Sequence, residues 1–292
     1  PNTLNMDVSK FEQAVSSKTK AVFLVNLLGN CNNYEQIQRI LENKNITPYL
    51  IEDNCESMGA KYKGIKAGSF GLMGSFSTFF SHHISTMEGG CILTSDEEMY
   101  HILLCIRAHG WTRNLPDKNH VSEAKDSDFF NESFKFVLPG YNVRPLEMSG
   151  AIGKVQLKKL NSIIDGRRKN GEYFKEVMGS LTSINIQRET GESSWFGFSL
   201  IVSDAAAYSR QDLLTALNEE NIEYRPIVTG NFLKNTELLK YFDYEVAGDV
   251  LGAERIERQG LFVGNHHYDL SDQIDLLSLV INKLENNNRS KD

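Results

Sequence analysis

The residues best suited to chemistry in this chain lie in one polar loop. His82 and His83 are adjacent within Ser75-Phe76-Ser77-Thr78-Phe79-Phe80-Ser81-His82-His83-Ile84-Ser85-Thr86-Met87-Glu88-Gly89-Gly90, ahead of the apolar run Cys91-Ile92-Leu93. Imidazole changes charge near neutral pH, so either ring could move a proton; a structural or solvent-facing role is the alternative. Asp53 closes the run Pro48-Tyr49-Leu50-Ile51-Glu52-Asp53. An acid there can be a cap or a surface ion pair, or it can hold a proton on the ring nitrogen of a bound heterocycle. In Pro139-Gly140-Tyr141-Asn142-Val143-Arg144-Pro145, Asn142 and Arg144 are polar groups on a turn, able to hold phosphate or carboxylate. No metal site is expected: His82 and His83 are neighbours, and further ligands would have to come from as far off as His109 or His266.

The elements that must carry these residues follow from pattern. Ala21–Val25 reads as a buried strand, Tyr34–Leu41 as a helix and Pro48–Asp53 as a second strand, a unit whose strands should be parallel with ligands beyond their carboxyl ends. Gly64, Gly68, Gly71 and Gly74 make Tyr62–Gly74 rich in turns. Ser95-Asp96-Glu97-Glu98 reads as a capping box opening a helix with Met99, Ile102, Leu103 and Ile106 as its apolar stripe. Residues 111–135 are too long and polar for a plain connector and are expected to form a functional or interface loop. A long helix is expected from about Leu146 to Met178, broken near Asp165-Gly166, with Ser149, Gly150, Ala151 and Gly153 closely packed at its start. Beyond Gly179 the pattern changes to a strand over Ser194–Val202, a helix over Ser209–Asn218, a strand over Ile222–Ile227, a last helix over Ser271–Leu284 and a frayed tail over Asn286–Asp292.

The 292 residues suffice for two domains, divided here as a large domain over 1–160 and a smaller α+β domain over 161–292. A net charge of −7 argues against nucleic acid or an anionic membrane as partner. No stretch approaches the ~20 apolar residues of a membrane helix and the start shows no secretory pattern, so a cytoplasmic location is expected. The four cysteines form no C-x-x-C pair and read as free thiols in a reducing compartment.

Taken in order, five motifs resemble the DegT/DnrJ/EryC/StrS sugar aminotransferases, enzymes of pyridoxal 5′-phosphate (PLP) fold type I. They are Glu52-Asp53-Asn54-Cys55-Glu56-Ser57-Met58-Gly59, Gly68-Ser69-Phe70-Gly71, the loop Ser77–Gly90, Arg107-Ala108-His109-Gly110 and Gly140-Tyr141-Asn142-Val143-Arg144. The resemblance spans essentially the whole chain. It implies an α/β fold with a mixed, mainly parallel sheet in the large domain, a small C-terminal domain, and sequence ahead of Pro1 carrying the Gly/Ser/Thr-rich turn that binds phosphate in relatives. Two departures matter: the family's Schiff-base lysine falls on His82, and its glutamine falls on Glu56.

Both changes resemble the dehydratase branch of the family, which removes the C3 hydroxyl of nucleotide-linked 4-keto-6-deoxy sugars, and within it most those acting on GDP-4-keto-6-deoxymannose in the colitose branch of O-antigen deoxysugar synthesis. The resemblance implies PLP and its amine form PMP as cofactor, L-glutamate as amino donor and a homodimer. It implies His82 as base, since histidine can move protons where lysine would bond to the cofactor. Asp53 would hold the pyridinium proton, Glu56 would lie against the ring or its 3-hydroxyl, Ser77 would donate to the phosphate, and Asn142 would reach the phosphate of the neighbouring subunit. His109, Arg144, Arg225, Asn231 and His266 are candidates for contact with the nucleotide sugar. Two other readings remain open: an aminotransferase using Lys61, Lys63 or Lys66, and a regulatory protein that keeps the fold without turnover.

Overall fold

The structure is a computed structural model that describes residues 2–289. After a short helix, α1 (Val8–Ala14), the expected strand–helix–strand unit is present as β1 (Ala21–Val25), α2 (Tyr34–Asn43) and β2 (Tyr49–Asp53), with β1 and β2 parallel. The spacing of Tyr34, Ile37, Ile40 and Leu41 puts one face of α2 against Phe11, Val22 and Leu24. β3 (Met73–Ser77) adds parallel to β2, and β4 (Gly90–Leu93) returns antiparallel, giving the order β1-β2-β3-β4. The pairing lines up Val25, Asp53, Ser75 and Ile92 in one row across the sheet. Because side chains alternate, Asp53 stands on the face opposite to Glu52, which is wholly buried.

α3 (Glu97–Ile106) begins later than expected. Asp96, not Ser95, is the cap: its carboxylate accepts the Met99 N–H at 2.7 Å, and a charged acceptor suits the positive helix start. Its buried residues are His101 and Cys105, with the expected apolar stripe only half-buried beside them. Residues 111–135 form a 3₁₀ turn, a small hairpin and the one-turn helix Phe129–Glu132, with Phe129, Phe130 and Phe134 exposed.

α4 (Glu147–Met178) runs unbroken for 32 residues, so the break expected at Asp165-Gly166 is absent and residue 160 lies inside a continuous helix. Gly166 answers to packing instead: a Cβ there would meet the His267 carbonyl oxygen at 2.3 Å. The close packing expected at the helix start is found only at Gly153, where a Cβ would meet the Thr86 methyl at 3.2 Å; Gly150 has nothing within 4 Å, and Met148, Val155 and Leu157 are exposed. The second half buries Ile163, Ile164, Arg167, Asn170, Phe174 and Met178 at helical spacing.

The second sheet is antiparallel, in the order β7-β8-β6-β5, from β5 (Ile184–Asn185), β6 (Gly197–Val202), β7 (Tyr224–Arg225) and β8 (Gly260–Gly264). β6 and β7 are shorter than expected; Ser194-Trp195-Phe196 form a loop instead, which packs against the first sheet's side of the molecule. α5 (Arg210–Glu219) starts in a capping box between Ser209 and Asp212, followed by α6 (Leu251–Gln259) and α7 (Ser271–Arg289). The tail expected to fray from Asn286 is helical through Arg289, and Ser290–Asp292 lie outside the described residues. Phe174 stacks on Phe198 at 4.3 Å in the core, with Trp195, Leu200, Leu213, Leu261 and Ile281 around them. No described helix is long and apolar enough to cross a membrane.

Candidate active site

The end of β2 carries two carboxylates with opposite fates. Glu52 points inward and accepts the backbone N–H groups of Gly68 (2.6 Å), Phe70 (2.6 Å) and Gly71 (2.9 Å) and the Tyr34 hydroxyl (3.0 Å). The loop Gly68-Ser69-Phe70-Gly71 is therefore wrapped on a buried charge. Gly68 is required there, at φ +90° with the Phe76 ring 2.6 Å from where a Cβ would lie. Asp53 points to the other face and is half-buried. Its Oδ1 accepts the Cys55 N–H at 3.0 Å and the Ser75 hydroxyl at 3.4 Å, and the Cys55 thiol also hydrogen-bonds the carboxylate.

Glu56 follows in the turn after β2. Its Oε2 accepts the N–H of Leu28 at 2.8 Å, fixing a buried residue held at φ +54°. Burial pushes the Glu56 carboxyl up to about 7; the Leu28 N–H opposes this and the nearby Asp53 charge adds to it. Glu56 thus keeps its proton to higher pH than an ordinary carboxyl. Ser77, the last residue of β3, accepts the Phe79 N–H at 3.1 Å and so tightens the turn into the histidine loop.

In that loop the His82 N–H donates to the Phe79 carbonyl at 3.0 Å. The imidazole is half-buried, with the Phe196 ring 5.1 Å and the Phe79 ring 5.9 Å away, and its Nδ1 is buried without a partner. Burial and the charge of Arg167 hold its pKa below the ordinary histidine value, against the pull of Asp53. His83 points the other way. It is buried, donates from Nε2 to the Ser194 carbonyl at 3.0 Å, and is driven to about 3 by burial, so it is a neutral structural group. Two adjacent histidines in the sequence are thus one accessible imidazole and one buried strut.

The remaining candidates fall in two other places. His109, after α3, and Asn142 and Arg144, before α4, lie on two exposed segments joined by backbone pairing: the His109 N–H bonds to the Tyr141 carbonyl at 2.9 Å, Ala108 pairs with Asn142 in an antiparallel bridge, and Arg144 Nε donates to Asn142 Oδ1 at 3.3 Å. Of the three in the second half of the chain, His266 joins the central group. It is half-buried and drawn down to about 4 by burial and by the same Arg167 that faces His82. Arg225 is exposed and paired with Glu223 at 3.2 Å, and Asn231 is buried with its Oδ1 on the Leu233 N–H, capping a short turn. Lys61 lies 3.5 Å from Glu192 and Lys63 2.5 Å from Glu35, on the small hairpin they share with the exposed Lys66.

Sequence reasoning missed Arg167, Phe196 and Asn265, which close the site from α4, the loop before β6 and the end of β8. The signal available was Arg167 falling in helical register with Ile163, Ile164, Asn170 and Phe174, a charge on an apolar stripe. Among the described residues no group of three or more His, Cys, Asp or Glu is placed to hold a metal ion.

A partly parallel sheet with an acid and a neutral imidazole at its carboxyl edge, closed by an antiparallel second sheet, defines a PLP-type aminotransferase fold. The chain belongs to the DegT/DnrJ/EryC1/StrS aminotransferase family, whose profile matches residues 1–275. It is 62% identical over 281 residues to the GDP-4-keto-6-deoxy-D-mannose 3-dehydratase of Yersinia pseudotuberculosis, covering 96% of this chain and 71% of that one. Among solved structures it is similar to the E. coli GDP-4-keto-6-deoxy-D-mannose 3-dehydratase with bound hydrated PLP, at 60% identity and a TM-score of 0.93 over 96% of this chain and 72% of the other. A structure of GDP-4-keto-6-deoxymannose 3-dehydratase with a trapped PLP–glutamate geminal diamine matches with the same figures.

Proposed function

We propose that this chain carries the reaction of a PLP-dependent 3-dehydratase that removes the C3 hydroxyl of GDP-4-keto-6-deoxymannose, with L-glutamate as amino donor. The observation that carries the reading is His82: the loop where the family has its Schiff-base lysine presents a half-buried imidazole held below its ordinary pKa. The residues present suit PLP. Asp53 offers a half-buried carboxylate to a protonated ring nitrogen, Glu56 can hold or release a proton near pH 7 beside it, and the Ser77 hydroxyl ends the neighbouring strand where a phosphate could take its hydrogen bond. Bound there in its amine form, the cofactor supplies an electron sink in conjugation with the sugar's C4 position.

The chain's own residues do the rest. Asp53 keeps a proton on the ring nitrogen. His82, unprotonated at rest, takes a proton and can return it to the departing C3 hydroxyl, which leaves as water. An imidazole cannot bond to the cofactor as a lysine amine does, so elimination is the outcome left open. Phe79 and Phe196 flank the ring and limit water around it. His109, Asn142 and Arg144, exposed on two paired segments, are assigned to a phosphate or nucleotide reached across a homodimer contact, and His266 to the sugar side. Arg225 and Asn231, engaged in their own local bonds, are the less favoured contacts. The large domain is assigned to residues 1–160 and the small one to 161–292, in a cytoplasmic enzyme.

His82→Asn in the full-length protein tests this. Ammonia release from GDP-4-keto-6-deoxymannose and glutamate should be lost while PLP binding is kept; full activity in the variant would overturn the mechanism. The aminotransferase reading is disfavoured by the engagement of Lys61 and Lys63 with Glu192 and Glu35. Borohydride reduction with PLP followed by peptide mapping should label no lysine. Bound PLP without ammonia release from any nucleotide 4-keto sugar would point to a silent regulatory protein.

A further inference from the structure

Buried polar side-chain atoms without a hydrogen-bond partner are few among the described residues: Nδ1 of His82, His83 and His266, Nε of Arg107 and Arg167, and Oγ of Ser194. All but Arg107 Nε belong to residues grouped about Arg167. This arginine is 3% exposed and makes no ion pair among the described residues. Its Nη1 donates to two backbone carbonyls, Phe196 at 3.0 Å and Asn265 at 2.8 Å. Asn265 closes the arrangement by donating from Nδ2 to the carbonyls of Arg167 (3.1 Å) and Trp195 (2.8 Å). The guanidinium carbon lies 5.9 Å from the centroid of the Phe196 ring, which also has the His82 imidazole at 5.1 Å, the His83 imidazole at 6.1 Å and the Phe262 ring at 6.4 Å.

A buried cation without an anion is costly, and a neutral side chain could pack the same helix face. Burial lowers the Arg167 pKa only to about 10, so the charge persists at neutral pH. Its field falls on three imidazoles: His82, His83 from the same loop, and His266 from the loop after β8. The charged group opposing it at His82 is Asp53, at the end of β2. Burial is the larger cause of the lowered His82 pKa, with Arg167 second; without Arg167, burial alone would oppose the pull of Asp53 and His82 would hold its proton to higher pH.

We propose that Arg167 is the positioning residue of the base: fixed to the Phe196 and Asn265 carbonyls, it sets the Phe196 ring against the His82 imidazole and keeps that imidazole in its proton-accepting form. This deepens the assignment of His82 as base and rests on it.

The test is an NMR pH titration of the histidine side chains in full-length protein labelled with ¹⁵N-histidine, without nucleotide sugar. The His82 signal is identified by its loss in His82→Asn. Wild-type His82 should titrate below the ordinary histidine value. In Arg167→Met the midpoint should move to higher pH, and in Arg167→Lys, which keeps a cation, it should stay near wild type. The acid limb of the kcat/KM profile for ammonia release should move with it. An unmoved midpoint in folded Arg167→Met overturns the proposal, as does an equal rise in Arg167→Lys. If Arg167→Met does not fold, Arg167→Gln takes its place with the same expectations. A wild-type His82 that titrates at or above the ordinary value overturns the proposal without any variant. The titration needs no turnover, so an unmoved midpoint in an active dehydratase refutes the role of Arg167 alone.

Discussion

Glu56→Gln is the perturbation whose size follows most directly from the structure. The Glu56 carboxyl is raised from 4.5 to about 7, chiefly by burial. In the unfolded chain it loses its proton near its ordinary value, whereas the folded chain keeps that proton until about pH 7. Between those limits the native state binds more protons than the unfolded state, so stability falls as pH rises, by about 1.4 kcal/mol per pH unit. From 4.5 to about 7 the loss is about 3 kcal/mol. A glutamine cannot ionise, yet its amide oxygen can still accept the Leu28 N–H that Glu56 now accepts at 2.8 Å. The expected result is a variant of near wild-type stability at pH 4.5 that gains on the wild type through the neutral range and is about 3 kcal/mol more stable above pH 7.5. Urea unfolding of wild type and variant without PLP, at several pH values across this span, measures the difference; all other titrating groups are shared and largely cancel. A stability difference that does not change with pH would refute the reasoning, because it would mean that Glu56 loses its proton at the same pH in the native and unfolded states.

Other consequences can be tested by the same unfolding measurements. Glu52→Gln turns an acceptor of three backbone N–H groups into one that offers its own N–H₂ against them, and should cost about 3 kcal/mol or more; a loss under about 1 kcal/mol would remove Glu52 from its place as the anchor of the Gly68–Gly71 loop. Gly166→Ala gains about 1 kcal/mol of helix propensity. It also drives a Cβ to within 2.3 Å of the His267 carbonyl oxygen. A net loss of about 2 kcal/mol is expected, and a more stable variant would show that the close approach is not what the glycine serves. Phe174→Ala removes a ring stacked on Phe198 in the core and should cost about 3–5 kcal/mol, with a neutral result contradicting the packing.

Local physics made the elements and the central motif legible. The apolar, β-forming run Ala21–Val25, the helical spacing of Tyr34–Leu41 and the short connection between two apolar runs suffice to specify a parallel strand–helix–strand unit with Asp53 at a strand end, although only Val22 and Leu24 of the first strand are buried as expected and Phe23 and Val25 are exposed. The order of short motifs, through the resemblance it carries, singled out His82 as the expected replacement for a Schiff-base lysine. What the sequence left undecided were questions answered only by distant parts of the chain. Ser95 and Asp96 are both good caps, and the choice between them turned on a single residue of register. Gly166 reads as a helix breaker until the His267 carbonyl, about a hundred residues on, is seen against it. Glu52 and Asp53 are the same chemistry side by side, and only the partners on each face of the sheet make one an internal anchor and the other an open carboxylate. Arg167 carries the same lesson furthest. A charged residue in a helix reads as a solvent-facing one, and whether it lies in water or near His82 is decided by the loop and strand end that pack over it. Sequence fixes what a residue can do over a few neighbours; burial, charge environment and close approach belong to contacts made across the fold, and those settle which of two like residues becomes part of the site.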